Sequence, residues 1–339
     1  MYQKRLLWPT IIAAILVVSM GLKSPAVASQ KPATVTVMTK NMDEGTDFGF
    51  FFANPNTGVQ LTLQEVLKND YPTRASLLAR EIAAAKPDIV GLQEVALWTT
   101  PYGVIDQLQI LLDALAAQGQ PYSVVAVNTL TQISFPVAGV TAGYTSRDAM
   151  IVRAASAPAI ANVQTAIYGA LLPLPQLGIN VKRGWISADL AVNGRTVRFV
   201  TTHLESSDSL YGNPAVNQIQ AGQAFELAAT FAGSPFPIVI GGDFNSNAAH
   251  TPQEQTPSYD IMVQPPFAYV DAWSALHRGV PGFTWPLYLE DPLRQHTEGP
   301  FERIDFVFSR TAVPISVSRT GINAPYSSDH AGVLAVFWF

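Results

Sequence analysis

The chain contains no cysteine. Disulfides are thereby excluded, and so is a lipid-modified N-terminal cysteine, so the core alone must hold the fold. A structural zinc site is disfavoured, because neither thiolates nor paired histidines are present at ligand spacing. Charge is also sparse: only 13% of the 339 residues are Asp, Glu, Lys or Arg, and only five are histidine. There is no repeat with a period of tens of residues and no low-complexity tract beyond the N-terminus. What is abundant is apolar surface, at 48% of residues, enough to fill a large core and contrary to disorder. One large α/β unit can absorb this length.

Long hydrophobic runs are confined to one place. Lys4 and Arg5 precede an uncharged stretch from Leu6 to Leu22, followed by the small-x-small sequence Ala26-Val27-Ala28. This is the layout of a secretory signal peptide at 1–28, leaving residues 29–339 as the mature domain. A retained membrane anchor is the alternative, since the run approaches spanning length. A secreted or periplasmic location is expected. Removing Lys4, Arg5 and Lys23, and no acid, moves the formal charge from −5 to −8. That is a poor long-range match for polyanions, although a bound divalent metal can reverse the field locally.

Alternating or continuous β-branched runs predict strands at 34–39, 88–93, 122–127, 148–153, 185–192, 196–202, 237–241, 304–308 and 332–338. Asn193-Gly194 predicts a hairpin turn between two of them. Apolar stripes predict helices at 73–86, 104–118 and 214–231. Strands, helices and hairpins are mixed, which implies sheets packed face to face with helices outside. The stretches 42–60 and 246–300 read as long irregular loops.

The ends of the strands carry the chemistry. Asn41 follows the first, Glu94 the second, His203 ends a third, and Asp243 and Asn245 end a fourth. Asp305 opens a fifth, and Asp329-His330 precedes the last. Separately, each has an ordinary reading: a cap, a surface acid, a hydrogen-bonded structural histidine, a polar turn. Together they are too many for a chain so poor in histidine and charge. Asn41, Glu94 and Asp329 offer hard oxygens, which suit Mg²⁺ or Mn²⁺. His330, with Asp305 to orient its second ring nitrogen, is a candidate acid–base pair. His203 and Asn245 are donors suited to a phosphate oxyanion. The set describes metal-assisted hydrolysis of a phosphate ester.

TKNM at 39–42, GLQEV at 91–95, THLES at 202–206, GDFNS at 242–246, ERIDFVF at 302–308 and SDHAGV at 328–333 occur in this order. In these motifs the chain closely resembles the endonuclease/exonuclease/phosphatase superfamily, from about residue 33 to the C-terminus. That group includes deoxyribonuclease I, abasic-site endonucleases, bacterial sphingomyelinases and inositol-phosphate phosphatases. The first and middle motifs are similar to those of a secreted bacterial subgroup. The resemblance implies an α+β fold of deoxyribonuclease I type, a four-layered α/β/β/α sandwich with its site at one end of two sheets. It implies that Glu94 is the main Mg²⁺ ligand with Asn41 beside it, and that His203 and Asn245 grip the scissile phosphate. Asp243 would orient or activate the attacking water, His330 would act with Asp305, and Asp329 would be a metal-side or positioning acid.

Lys40 departs from the pattern, standing where members of the superfamily often carry a bulky apolar residue. Asp43 to Asp47 form either a second acidic site or a turn. Arg147 is placed to reach a phosphate, or else to pair with Asp148. A nucleic acid substrate would draw on Lys182, Arg183 and Arg198. A phospholipid head group would draw on apolar wedges at Phe48–Phe52 and Pro265–Phe267, unless the former simply pack over the sheet edge. An exported phosphodiesterase or endonuclease is expected, with a sphingomyelinase-like enzyme or a phosphatase as alternative and an inactive binding module behind both. No protein partner is implied, and the chain is expected to act as a monomer.

Overall fold

The computed structural model describes residues 33–54, 57–137, 139–156, 158–207, 215–249, 257–288 and 299–339. The expected leader at 1–28 lies outside them. Among the described residues, no helix is long and apolar enough to cross a membrane.

Two sheets form the centre. The eight-stranded sheet runs Val313–Thr320, Gly332–Trp338, Thr34–Asn41, Ile89–Gln93, Val140–Arg153, Leu97–Thr100, Gly103–Asp106, with Tyr122–Val137 also paired to Val140–Arg153. The six-stranded sheet runs Val270–Asp271, Asp305–Arg310, Ile238–Asp243, Arg195–His203, Gly184–Val192, Ala159–Ile167. Strand alternation sorts side chains to two sides of each sheet. Val35, Val37, Ile89 and Met150 meet Ile186, Phe199, Val239 and Val307 between the sheets. Met38, Val90, Leu92 and Ile151 face outward onto helices Tyr71–Ala85 and Gln107–Ala117. Val200, Ile240 and Phe308 face outward onto helices Ala215–Phe231 and Ser258–Val263. The result is four layers, α/β/β/α.

Register places the polar strand ends together. The central strands of each sheet run parallel, so Asn41 lies opposite Gln93 and His203 opposite Asp243, while Asp243 also lies opposite Asp305 in an antiparallel pair. At this end the sheets come very close. A Cβ on Gly91 would lie 2.2 Å from Thr201 Oγ1, so only glycine fits. Gln93 bridges the gap, donating to Thr201 Oγ1 at 2.8 Å and accepting from Thr39 Oγ1 at 3.1 Å.

Several elements differ from the expectation. The helix foreseen at 104–118 starts at Gln107; Gly103–Asp106 pairs as a strand with Leu97–Thr100, and Asp106 then caps the helix by accepting from Gln109 N. The stretch 42–60 is not irregular throughout. It holds the short helix Gly49–Ala53 and the start of Gly58–Lys68, whose Val59, Leu63 and Val66 are buried on one stripe. Glycine, proline and asparagine between the two helices obscured that stripe. The strands foreseen at 122–127 and 148–153 are parts of a longer hairpin.

Candidate active site

Each site residue sits at, or within a few residues of, one end of a strand. Glu94 comes directly after the strand Ile89–Gln93 with φ 54°, and Asn245 lies just beyond Ile238–Asp243 with φ 48°. Left-handed backbone is strained for residues other than glycine and persists only where the surroundings enforce it. Val95 N donates to Arg147 O beside Glu94, and Asn245 N donates to Asp243 Oδ1 at 2.9 Å. Helix Ala215–Phe231 adds two buried glutamines. Gln220 donates to Glu205 O and Asn245 O, and Gln223 accepts from Glu205 N. Sequence reading passed these glutamines over, because amides on a buried helix face carry no periodic signal.

Asp305 Oδ2 lies 2.9 Å from His330 Nδ1. A carboxylate only accepts, so Nδ1 carries the proton and Nε2 points to Asp243 Oδ2, 3.8 Å away. Burial pulls the His330 imidazolium down, but the combined charges of Asp305, Asp329 and Asp243 outweigh it and hold the pKa well above the ordinary value. Asp243 is pushed up to about 7, by burial first and then by Asp305. Its carboxylate is oriented by Asn245 N on Oδ1 and by Asn41 Nδ2, at 3.0 Å, on Oδ2. His203 is driven well below the usual imidazole range, by burial and then by Arg183 and His330, so its ring is neutral. Arg183 Nη1, which can only donate, lies 2.8 Å from His203 Nδ1. The same Nη1 lies 3.3 Å from Nε2, which is also 3.6 Å from Asp243 Oδ2. Asn245 Nδ2 is 3.1 Å from the same nitrogen.

Glu94 and Asp329 form the other flank. Burial, and next the Asp329 charge, push the Glu94 carboxyl above its ordinary range, while Asn41 hydrogen-bonds it. Glu44 is raised well above as well, by burial and then by Glu94. Asp329 accepts from Trp285 Nε1 at 3.0 Å, and the Trp285 ring lies 6.2 Å from that of His330. Trp285 was not singled out in the sequence, where a lone tryptophan in a loop carries no chemical signal. Carboxylates that repel one another in a buried pocket, with amide oxygens and no sulfur nearby, fit a hard divalent cation. Asp243, Asp305 and His330 also place donor atoms within 4.8 Å of one another. A cation there would have to break the Asp305–His330 hydrogen bond, so the Glu94 flank is the better match.

Two expectations need revision. Arg147 does not face the site. It donates to Val95 O at 2.9 Å and Ala96 O at 3.2 Å, and pairs with Asp106 at 2.6 Å rather than with Asp148. Its role here is to clamp the turn after Glu94. Arg147→Met is expected to lower stability by about 1–3 kcal/mol, read from urea unfolding; lost activity with unchanged unfolding would instead place the guanidinium on substrate. Phe267 is no exposed wedge, being buried against Phe225. Of the basic candidates, Arg198 is tied to Asp189 by two bonds, and Arg183 belongs to the site. Lys40 is fully buried, with Nζ 2.6 Å from His330 O and 3.7 Å from Glu81, so it fixes the loop that carries His330. Asp43 is also built into the loop: burial pushes it up, but Arg74 and bonds from Gly45 N, Tyr288 and Asn69 hold it low.

Asp243, Asn245, His330, Glu94 and Asp329 line one cavity of about 690 Å³. The class this fold and site define is that of the four-layered α/β/β/α sandwiches with acids, an amide and a histidine gathered at one end of two sheets. The profile described as the Endonuclease/Exonuclease/phosphatase family matches residues 41–330, and the chain belongs to that family. No curated protein matches it. Among solved structures, an endonuclease/exonuclease/phosphatase from Beutenbergia cavernae is 21% identical, with a TM-score of 0.60 over 91% of this chain and 72% of that one. A family protein from Leptotrichia buccalis is 15% identical, with a TM-score of 0.58 over 90% and 100%. A truncated TDP2 from Caenorhabditis elegans is 18% identical, with a TM-score of 0.55 over 90% and 98%. These likenesses establish the fold.

Proposed function

We propose that the protein is an exported phosphoric ester hydrolase that depends on Mg²⁺ or Mn²⁺ and cleaves a phosphodiester. The observation that carries this reading is His330, Asp243 and Asn245 facing the cavity that also holds Glu94 and Asp329, with Asp305 and His203 buried directly behind them. A cation held by Glu94, with Asn41 and Asp329 beside it, would polarise the phosphoryl group and offset developing charge. Asp243, raised to about 7, is poised near neutral pH to take the proton of the attacking water. The His203 ring and the Asn245 amide would hold phosphate oxygens. The His330 imidazolium would donate through Nε2–H to the phosphate or to the departing alkoxide as the P–O bond breaks. The N-terminal leader pattern supports export.

Residues 29–339, purified and treated with EDTA, should be inactive on bis(4-nitrophenyl) phosphate and regain activity with Mg²⁺ or Mn²⁺. Full activity in EDTA would sink the reading. Nucleic acid, the first substrate foreseen, is checked by nicking of supercoiled plasmid. A second prediction concerns pH. The rate should rise as Asp243 loses its proton and fall as His330 loses its own. Asp305 raises both pKa values, so Asp305→Asn should move both limbs of kcat/KM to lower pH. An unmoved profile would separate Asp305 from the titrating groups.

A further inference from the structure

The cavity has an apolar wall that the hydrolytic residues leave unexplained. Phe50 and Phe52 of helix Gly49–Ala53 line it, with Ile133, Leu174, Ile179 and Val181. The last three belong to a separate two-stranded hairpin, Leu172–Leu174 paired with Ile179–Val181, and Phe52 packs on its apolar cluster. The wall is tied to the phosphate end from both sides. Two residues beyond Val181 stands Arg183, which donates to His203. On the other side, Glu44 N donates to Glu94 Oε2, Glu44 accepts from Tyr144 Oη, and Tyr144 packs on Phe48 at 4.8 Å between ring centroids.

The run Phe48–Phe52 divides by role. Phe48 and Phe51 are buried, at 7% and 4% exposure, and pack on Trp98 and Phe135. Phe50 and Phe52 are half-buried on the cavity, as are Ile133, Ile179 and Val181. The first pair is spent on core packing; Phe52, Ile133, Ile179 and Val181 also touch the core clusters but keep part of their surface on the cavity. The charges of the cavity point the same way. Among the described residues that line it, eight are carboxylates and three are Lys or Arg. A polyanion would place its second and third phosphates against that excess. A volume of about 690 Å³ suits one small molecule.

We propose that this wall is a subsite for an uncharged apolar arm, alkyl or aryl, of the same phosphate ester whose phosphate lies between His203 and His330. The subsite selects compact esters with one charge and one greasy substituent over nucleic acid. It rests on the phosphoesterase reading above.

The test uses residues 29–339 with Mg²⁺ and two diesters, methyl 4-nitrophenyl phosphate and hexyl 4-nitrophenyl phosphate, below the micelle concentration of the latter. Each buried methylene is worth up to about fourfold, so kcat/KM for the hexyl ester should exceed that for the methyl ester at least ~10-fold. Ile179→Ser and, separately, Phe50→Ser should reduce the preference to less than ~3-fold and leave the methyl ester within ~2-fold of wild type, since the wall holds no reacting group. Should either variant fail to fold, inhibition of the wild-type protein by methyl, butyl and hexyl phosphate gives the same comparison, tightening with chain length. Equal rates for the two esters, equal inhibition along the series, or equal losses on both esters in the variants would overturn the subsite and leave the hydrolase standing. Plasmid cleavage that the hexyl ester does not inhibit would also overturn it. Failure to hydrolyse even the methyl ester would overturn the phosphoesterase reading itself, and the subsite with it.

Discussion

Replacing His330 by alanine is expected to lower kcat by ~10²- to 10⁴-fold, the range for removal of a positioned acid or base. The ring is fixed on both sides. Nδ1–H is held by Asp305, and Nε2 is the nitrogen left to face Asp243 and the cavity. Its raised pKa makes it an imidazolium at neutral pH, so the substitution removes a proton donor and a positive charge where phosphoryl charge develops. The fold should persist. Lys40 holds this loop through the main-chain oxygen of residue 330, and Ser328 Oγ accepts from its N–H. Asp305, buried and deprived of its partner, should cost about 1–3 kcal/mol. Turnover of an activated diester and thermal unfolding, measured on the same preparation, separate the two effects. Near-normal turnover in a folded His330→Ala protein would remove the histidine from the chemistry.

Glu94→Gln should be nearly as damaging, for a different reason. The side chain keeps its shape and loses its charge, so the loss falls on the cation. At sub-millimolar Mg²⁺ activity should drop at least ~10²-fold and recover partly as Mg²⁺ is raised. Stability should move the other way without metal. Glu94 and Asp329 repel, and Glu44 repels Glu94, so removing one charge should raise the melting temperature in EDTA. The further rise that Mg²⁺ gives the wild-type protein should shrink in the variant, because ligand-linked stability tracks affinity. An unchanged Mg²⁺ titration would take Glu94 out of the metal site.

The motifs could be read because catalytic groups sit at strand ends and strands announce themselves by alternation and β-branching. Asp243 and Asn245 are legible as a pair for this reason: a buried run ends at two glycines, and the polar residues just beyond them are fixed in space by the strand. The helix Gly58–Lys68 and the hairpin at 172–181 were not legible. The first hides behind glycine, proline and asparagine, and the second has three-residue strands, one with a proline inside it. Half of the apolar wall comes from that hairpin, so the sequence offered only the Phe48–Phe52 part of it and not the surface the two make together.

Arg147 and Lys40 show where one dimension stops. Val140–Arg153 and Thr34–Asn41 are buried on both sides for most of their length, so composition does not reveal which side a residue takes. Arg147 shares parity with Ala149 and Ile151, which face the helices, and so turns away from the cavity; Met150, between those two, faces the other sheet. Lys40 shares parity with Met38 and also points to the helix side, while Asn41 points between the sheets. The amino-acid sequence by itself determined the central strands, their polar ends, the order of the motifs and the absence of sulfur ligands, because these depend on local pattern and composition. Only the tertiary structure decided which face each central-strand residue takes, that Arg183 meets His203, and that Glu94 and Asp329 crowd into one pocket. Those depend on strand register and sheet packing, and a shift of one residue in register reverses every side chain.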